Sequence, residues 1–398
     1  MKSNIIYSIV VCLAAFALPF MVACSSQEES LPDTTEAALF LNIEPLTQTR
    51  SGLAELLVKE KMRNVRVIIL HENGTVEHNR YYELESAEET KYILLKVTPN
   101  EKKKIFLFAN EKSVSAVEGV TVTEGGTTGD QSLTDFFNRY TENSPGFETE
   151  INNLYFTPDY SNEKLIPMSS MYEIEVPEKG NVEKTFYVVR VATKFTINFM
   201  NWRGEEVIVN KFTLQKHADK NFLMAHVNDS EQNRTLFDGK TWIEWLKEVS
   251  DASSEDDTKD TTEAAGWLKD YDLPALADKE KIYTHTEAVT IGKPTVDIDY
   301  PDNSKAGVAQ SVFYLPESMN LKAGEPVHGE QEYILTLHIK EGEKEKKFTR
   351  TLPNLKALFR NTHVVVNITL KNSMEIVVDV IPYSEVKLDP IFGLDIKE

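Results

Sequence analysis

The chain is poor in the residues that most often carry chemistry. Of 398 residues only two are cysteine, Cys12 and Cys24, and both fall within the first 24. The remainder therefore has neither a disulfide nor a thiolate metal site. Glycine (17) and proline (16) are too sparse for a collagen-like or low-complexity chain. Basic residues are outnumbered, 43 Lys and Arg against 63 Asp and Glu, for a formal charge of −20. That balance offers no basic face to phosphates, so nucleic acid is not an expected partner. The eight histidines include no H-E-x-x-H pair and no zinc-finger spacing. No G-x-S-x-G elbow is present. Glu124 to Gly129 is glycine-rich but lacks the Lys-Ser/Thr ending of a phosphate cradle. Asp297 and Asp299 have the spacing to share a strand face but bring no further ligand. The acidic stretch 251–263 lacks the glycine of a calcium loop. No catalytic residue, metal ligand or cofactor is expected.

What is present is concentrated at the two ends and in a strand-like body. Lys2 precedes an apolar run from Ile5 to Ala23, broken mainly by Ser8. A basic start, an apolar stretch and small residues before a cut describe a secretory signal over 1–23. The run closes on Met21-Val22-Ala23-Cys24, which resembles a bacterial lipobox with Cys24 as the lipidated first residue; Met21 stands where leucine is usual. The alternative is a membrane-spanning anchor, since the run approaches the ~20 residues a span requires. Residues 24–36 follow as a tether, and Ser25-Ser26-Gln27-Glu28-Glu29 resembles the acidic export signal of surface lipoproteins. The expected partner at this end is outer-membrane lipid, held through acyl chains on Cys24.

From residue 35 onward the dominant period is two, the mark of half-buried strands. Leu39, Leu41 and Ile43 share one face, with Asn42 and Glu44 on the other. Val65, Val67 and Ile69 alternate likewise, and His71 to Gly74 supplies a hairpin turn. Further strand-like runs are 92–97, 104–109, 184–191, 194–200, 207–214, 333–339, 363–370 and 375–381. Short helices are expected at 53–63, 132–140, 242–249 and 355–360. The fold class is therefore all-β with minor short helices, arranged as β-sandwiches. A boundary is expected near residue 183, dividing 37–183 from 184–398. Residues 228–281 are an acidic excursion read as a surface insertion. Its Trp242, Trp245 and Trp267 either pack a small lid or present aromatic platforms, as a glycan-binding surface lipoprotein would.

A family resemblance runs through most of the sequence after Cys24. It rests on Leu46-Thr47-Gln48-Thr49-Arg50-Ser51-Gly52 after the first strand, on Val65 to Leu70, and on Ile105 to Asn110 ending in Ala-Asn. It continues in Phe313-Tyr314-Leu315-Pro316-Glu317, in Arg360-Asn361-Thr362-His363, and in the closing Val380 to Leu394. In order and spacing these motifs resemble those of the FimA- and Mfa-type fimbrillins, lipoprotein-precursor subunits of surface pili. The resemblance implies two transthyretin-like sandwiches and a first strand, 37–50, removed by an arginine-specific protease cutting between Arg50 and Ser51. Lys59, Lys61 and Arg63 are nearby alternatives for the cut. It further implies that the groove left by Leu39, Leu41 and Ile43 is filled by strand addition from a neighbouring subunit. The donor would come from 376–398, with Ile376, Val378, Val380, Val386, Leu388, Phe392 and Leu394 as apolar plugs. Partners would be copies of the chain or other fimbrial subunits in a head-to-tail polymer at the cell surface. Anchor and tip subunits, which need not be trimmed or donate, fit the same features.

Overall fold

The structure, a computed structural model, describes residues 37–46, 58–85, 90–120, 131–161, 164–225, 281–295, 306–319, 333–341, 343–352, 355, 357–371 and 376–381. The first eight strands are β1 (Ala37–Pro45), β2 (Asn64–Leu70), β3 (Val76–Glu83), β4 (Lys91–Val97), β5 (Glu101–Ala109), β6 (Tyr155–Phe156), β7 (Met168–Val176) and β8 (Gly180–Arg190). Seven of them hydrogen-bond in the order β3-β2-β5-β7-β8-β1-β4. β7 meets β8 only at Met168↔Arg190 and Ser169↔Val189. At that corner the path turns, so that β3-β2-β5-β7 faces β8-β1-β4. One core fills the space between the layers: Val65, Val67, Ile69, Ile105 and Leu107 from one side, Leu39, Leu41, Ile43, Ile93, Leu95 and Val188 from the other.

β2 and β5 read as nearly continuous apolar runs because both of their faces are covered. The face opposite the sandwich core carries Ile68, Leu70, Phe106 and Phe108, which pack under two short helices, Leu133–Asn138 and Phe147–Asn153. Ser132 caps the first helix by accepting a hydrogen bond from the Asp135 amide at 3.1 Å. Phe147 meets Phe106 edge-on, with ring centroids 5.2 Å apart.

The remaining strands are β9 (Thr193–Asn201), β10 (Val207–His217), β11 (Asn221–Phe222), β12 (Lys281–His285), β13 (Val289–Ile291), β14 (Gly307–Leu315), β15 (Ser318–Met319), β16 (Ile334–Glu341), β17 (Lys344–Thr351), β18 (Ala357–Leu358), β19 (His363–Leu370) and β20 (Ile376–Ile381). They form a β12-β10-β16-β17 sheet, with β13 also on β10, and a β14-β9-β19-β20 sheet. Phe195, Ile197 and Phe199 of β9 pack against Phe212, Leu335, Leu337, Val364 and Val366 in a second core.

The all-β expectation agrees with these sheets, and the β2–β3 hairpin turns at Gly74 with φ +84°. Other expectations need correction. The boundary placed near residue 183 falls inside β8, whose ladder continues to Arg190; the chain passes to the second pair of sheets between Arg190 and Thr193. The helix expected at 355–360 is replaced by the short strand β18, paired with β15. Within 53–63 the described part contains only a 3-10 turn at Val58–Glu60, three residues short of β2. β17, of sequence KEKKFTRT, has no alternation to read because it is exposed and, among the described residues, pairs only with β16. Its charges guard an exposed strand against other chains.

Candidate functional site

β1 lies inside the first sandwich, with a neighbour on each side. It runs antiparallel to β4, from Ala37↔Val97 to Ile43↔Lys91, and parallel to β8, from Ala37↔Gly180 to Pro45↔Val188. Leu39, Leu41 and Ile43 are at most 2% exposed and point into the core, as their alternation requires. Ala37 and Leu46 are equally buried. Asn42 points the other way, donating to Glu44 Oε1 at 2.9 Å and Thr185 Oγ1 at 3.1 Å. Burial of each large apolar side chain stabilises its place by roughly 1.5–3 kcal/mol.

Two details define the limits of the strand. The Leu46 amide donates to Val188 O at 2.8 Å, on the β8 side. Backbone alternation turns position 45 towards β4, whose ladder has already stopped at Ile43↔Lys91. Proline, which has no N–H, costs nothing there. At the other edge, β4 has no ladder partner except β1 among the described residues. β4 is otherwise retained by the burial of Ile93, Leu95 and Val97 and by tethers at its end. Thr98 N donates to Glu77 Oε1 at 2.5 Å, and the His78 ring lies 2.6 Å from Lys96 O.

The structure brings together Leu39, Leu41 and Ile43 as one buried row, and places Ile376, Val378 and Val380 on β20, paired with β19 through Val365↔Ile381 to Leu370↔Ile376. Cys24, Arg50, Ser51, Trp242, Trp245, Trp267, Asp297, Asp299, Val386, Leu388, Phe392 and Leu394 lie outside the described residues. Residues 47–57, which include Arg50, are flanked in sequence by Leu46 on one side and by the turn Val58–Glu60 on the other. Arg190 at the end of β8 grips both: Nη1 donates to Leu46 O at 2.9 Å and Nε to Glu60 O at 3.0 Å.

Residues of the family-like motifs converge on the passage between the two pairs of sheets. Arg360 forms a buried two-point ion pair with Glu317, Nε lying 2.9 Å from Oε2 and Nη2 meeting Oε1. It also donates to the carbonyls of Phe222, Leu223 and Met224. Asn361 adopts φ +56° and accepts from Arg190 Nη1 at 3.3 Å. The His363 ring meets Thr196 Oγ1 at 2.8 Å; burial, aided by the Lys194 charge, lowers its pKa to about 4. Asn110, at φ +60°, donates to Lys61 O and Ile166 O and accepts from the Arg63 amide. These motif residues are structural joints: Arg360 and Asn110 satisfy buried backbone groups, while Asn361 and His363 meet buried side chains.

Sequence reasoning did not single out one polar cluster. His71, Glu77 and Glu101 bring three donor atoms within 4.8 Å of one another, a geometry compatible with a metal ion. Lys103, fully buried, fills it: Nζ lies 2.7 Å from Glu77 Oε2 and contacts Glu101. Burial alone would raise the Glu101 carboxyl, but hydrogen bonds from Lys103 and His71 outweigh it and leave the pKa below the ordinary range. An ammonium already supplies the positive charge a cation would bring. The signal was available in sequence only as Glu101 and Lys103 two apart, an arrangement too common to select.

No family model matches the chain, and no curated protein matches it. Solved structures do align with it. The tip fimbrial protein Mfa3 from Porphyromonas gingivalis, with a C-terminal truncation, aligns at 11% identity over 87% of this chain and 100% of that chain, with TM-score 0.48. A candidate cell adhesion protein from Parabacteroides distasonis aligns at 12% identity over 89% and 99%, with TM-score 0.46. A fimbrial assembly protein from the same organism aligns at 10% identity over 86% and 94%, with TM-score 0.41.

Proposed function

We propose that this chain is a structural subunit of a surface fimbrium, exported as a lipoprotein through Cys24 and assembled by exchange of its first strand. The observation that carries the proposal is β1: a strand rich in buried apolar side chains, enclosed between β4 and β8, and followed in sequence by Arg50. The motif resemblance to fimbrillins points the same way, and the similar solved structures include proteins named as fimbrial. Cutting after Arg50 leaves β1 attached only by non-covalent contacts. Its departure exposes two unpaired strand edges and a row of apolar positions, the template that strand addition requires.

An incoming segment that runs parallel to β8 and antiparallel to β4 restores both ladders as β1 made them. The donated piece is drawn from 376–398 of a neighbour, whose first part, 376–381, pairs with β19 in the uncut chain. Val386, Leu388, Phe392 and Leu394 there are spaced by even numbers, so an extended chain presents all four to one face. Repetition of this contact is head-to-tail and grows a filament. A chain that accepts a strand but keeps its own tail would act at a tip, and β20 within its own sheet is compatible with that role.

The test is to treat the purified full chain with an arginine-specific protease and follow its mass and oligomeric state. The expected result is one cut within 47–57 followed by oligomers that persist in mild denaturant. Truncation after Ile381 should leave the cut intact and abolish the oligomers. Cut protein that stays monomeric in both forms would overturn the donor mechanism. An N-terminus of Cys24 on all protein recovered from cells would overturn the trimming step.

A further inference from the structure

The two sequence flanks of residues 47–57 and the second pair of sheets meet at a single side chain. The Arg190 guanidinium holds Leu46 O at 2.9 Å, Glu60 O at 3.0 Å and Asn361 Oδ1 at 3.3 Å, and the residue is only 6% exposed. Leu46 is the last described residue of the β1 segment; Asn361 belongs to the turn that opens β19. That turn is locked to the start of β9, where the Asn361 amide donates to Ala192 O and the Lys194 amide donates to Thr362 O. Glu60 is drawn into the same knot by Lys194, whose Nζ lies 3.0 Å from Oε1. A buried guanidinium must keep its acceptors, because a donor left without one carries its full desolvation cost.

We infer that Arg190 is a positioning residue that ties the occupancy of the β1 groove to the order of the passage between the two pairs of sheets. With β1 in place, the Leu46 carbonyl holds the guanidinium where it also reaches Asn361. When β1 leaves, Arg190 loses that acceptor, and the β9–β19 turn loses a guanidinium fixed from the other side. A strand that later fills the groove restores the tie only if it places a backbone carbonyl where Leu46 O stood, beyond the pairing with Val188. The junction is therefore ordered in the uncut chain, loosened in the vacated chain, and ordered again by a replacement of sufficient length. The consequence for assembly rests on the proposed release of β1, but the coupling itself belongs to the uncut chain and is measurable there.

The experiment is amide hydrogen exchange on the uncut full chain, with the Lys194 amide as reporter of the junction and β10 as reference. Leu41→Ala loosens β1 at a site remote from the junction. It should speed exchange at Lys194 by about tenfold or more, the factor expected when a hydrogen bond to a charged group is lost, while leaving β10 unchanged. In an Arg190→Met background the same Leu41→Ala change should add nothing at Lys194. Arg190→Lys should behave as Arg190→Met, because one ammonium cannot reproduce the planar fork. If the arginine variants fail to fold, Asn361→Gly serves instead. Glycine tolerates the +56° φ and removes the side-chain amide whose Oδ1 accepts from Arg190. It should break the coupling while β1 amides stay protected as in the parent. Coupling that survives Arg190→Met or Asn361→Gly, or a Lys194 amide insensitive to Leu41→Ala in the parent, would overturn the inference. Failure of protease-triggered assembly would leave this result untouched.

Discussion

Leu41→Ala is the most direct probe of β1. Leu41 is 2% exposed, sits opposite Ile93 in the β4 ladder and opposite Lys184 in β8, and belongs to the core between the layers. Truncating a leucine in such a position costs about 3 kcal/mol through lost transfer energy and the cavity left behind. That is a large share of the 5–15 kcal/mol that a typical domain retains. Tryptophan fluorescence is the wrong assay, because Trp202, Trp242, Trp245 and Trp267 all follow the first sandwich. Exchange of the Val67 and Leu107 amides at the centre of β2 and β5 reads the correct core. A loss of about 3 kcal/mol corresponds to roughly a hundredfold faster exchange at these amides. Asn42→Ala supplies the control: it lies on the opposite face and removes hydrogen bonds to Glu44 and Thr185, for a cost of about 1 kcal/mol or less. Equal effects from the two substitutions would refute the reasoning, because β1 would then contribute no more from its inner face than from its outer one.

Three further outcomes follow from named contacts. The His363 pKa is lowered from 6.5 to about 4 in the folded chain, so the unfolded chain binds a proton first as pH falls. Stability should hold above pH 6.5 and decline between pH 6.5 and 4, by roughly 3 kcal/mol in all; denaturant titrations of His363→Gln should lose that slope. Arg360→Met removes one partner of a buried ion pair and leaves Glu317 with an uncompensated charge, an expected loss of about 3–5 kcal/mol by equilibrium unfolding; a loss below 1 kcal/mol would mean that the pair is not the joint described. Lys103→Met should convert the His71, Glu77 and Glu101 cluster into a cation site, so that added zinc raises the melting temperature of the variant and not of the parent. An unchanged melting temperature in both would mean that the carboxylates separate once the ammonium is gone.

The strands that sequence made legible are those with one wet face and one dry face. Leu39, Leu41 and Ile43 against Asn42 and Glu44 is such a pattern, and β1 forms where it predicts. β17 was not legible because neither of its faces is buried, and an exposed strand favours lysine over alternation. The misplaced boundary has a related cause. In β8 the residues Gly180 to Thr185 are largely exposed, whereas Val188 and Val189 are both fully buried, so composition shifts in the middle of a continuous ladder. Motif residues such as Glu317, Arg360 and Asn361 were visible as a resemblance, yet their task was not. Only the fold shows that Glu317 meets Arg360 across 43 residues, and that Asn361 meets Arg190 across 171. Buried polar networks are fixed by partners distant in sequence, and local pattern carries no trace of them.

The position of β4 constrains how any exchange of β1 can proceed. Among the described residues β4 owes its whole ladder to β1, while its inner face is buried through Ile93, Leu95 and Val97. An empty groove would therefore strand β4 as well as expose β8. Each lost ladder hydrogen bond costs about 1 kcal/mol net, and a buried group left without a partner costs about 1–3 kcal/mol. Summed over the Ala37–Ile43 pairing with β4 and the longer pairing with β8, that penalty reaches the scale of a domain's entire stability. A fully vacated groove is thus a costly state that an incoming strand relieves. The cheaper path replaces β1 pair by pair from one end, each new pair forming as an old one opens. Leu46 is where such replacement would begin after a cut in 47–57, because it is the end freed from the chain. It is also the end held by Arg190, which places the latch at the first step of the exchange.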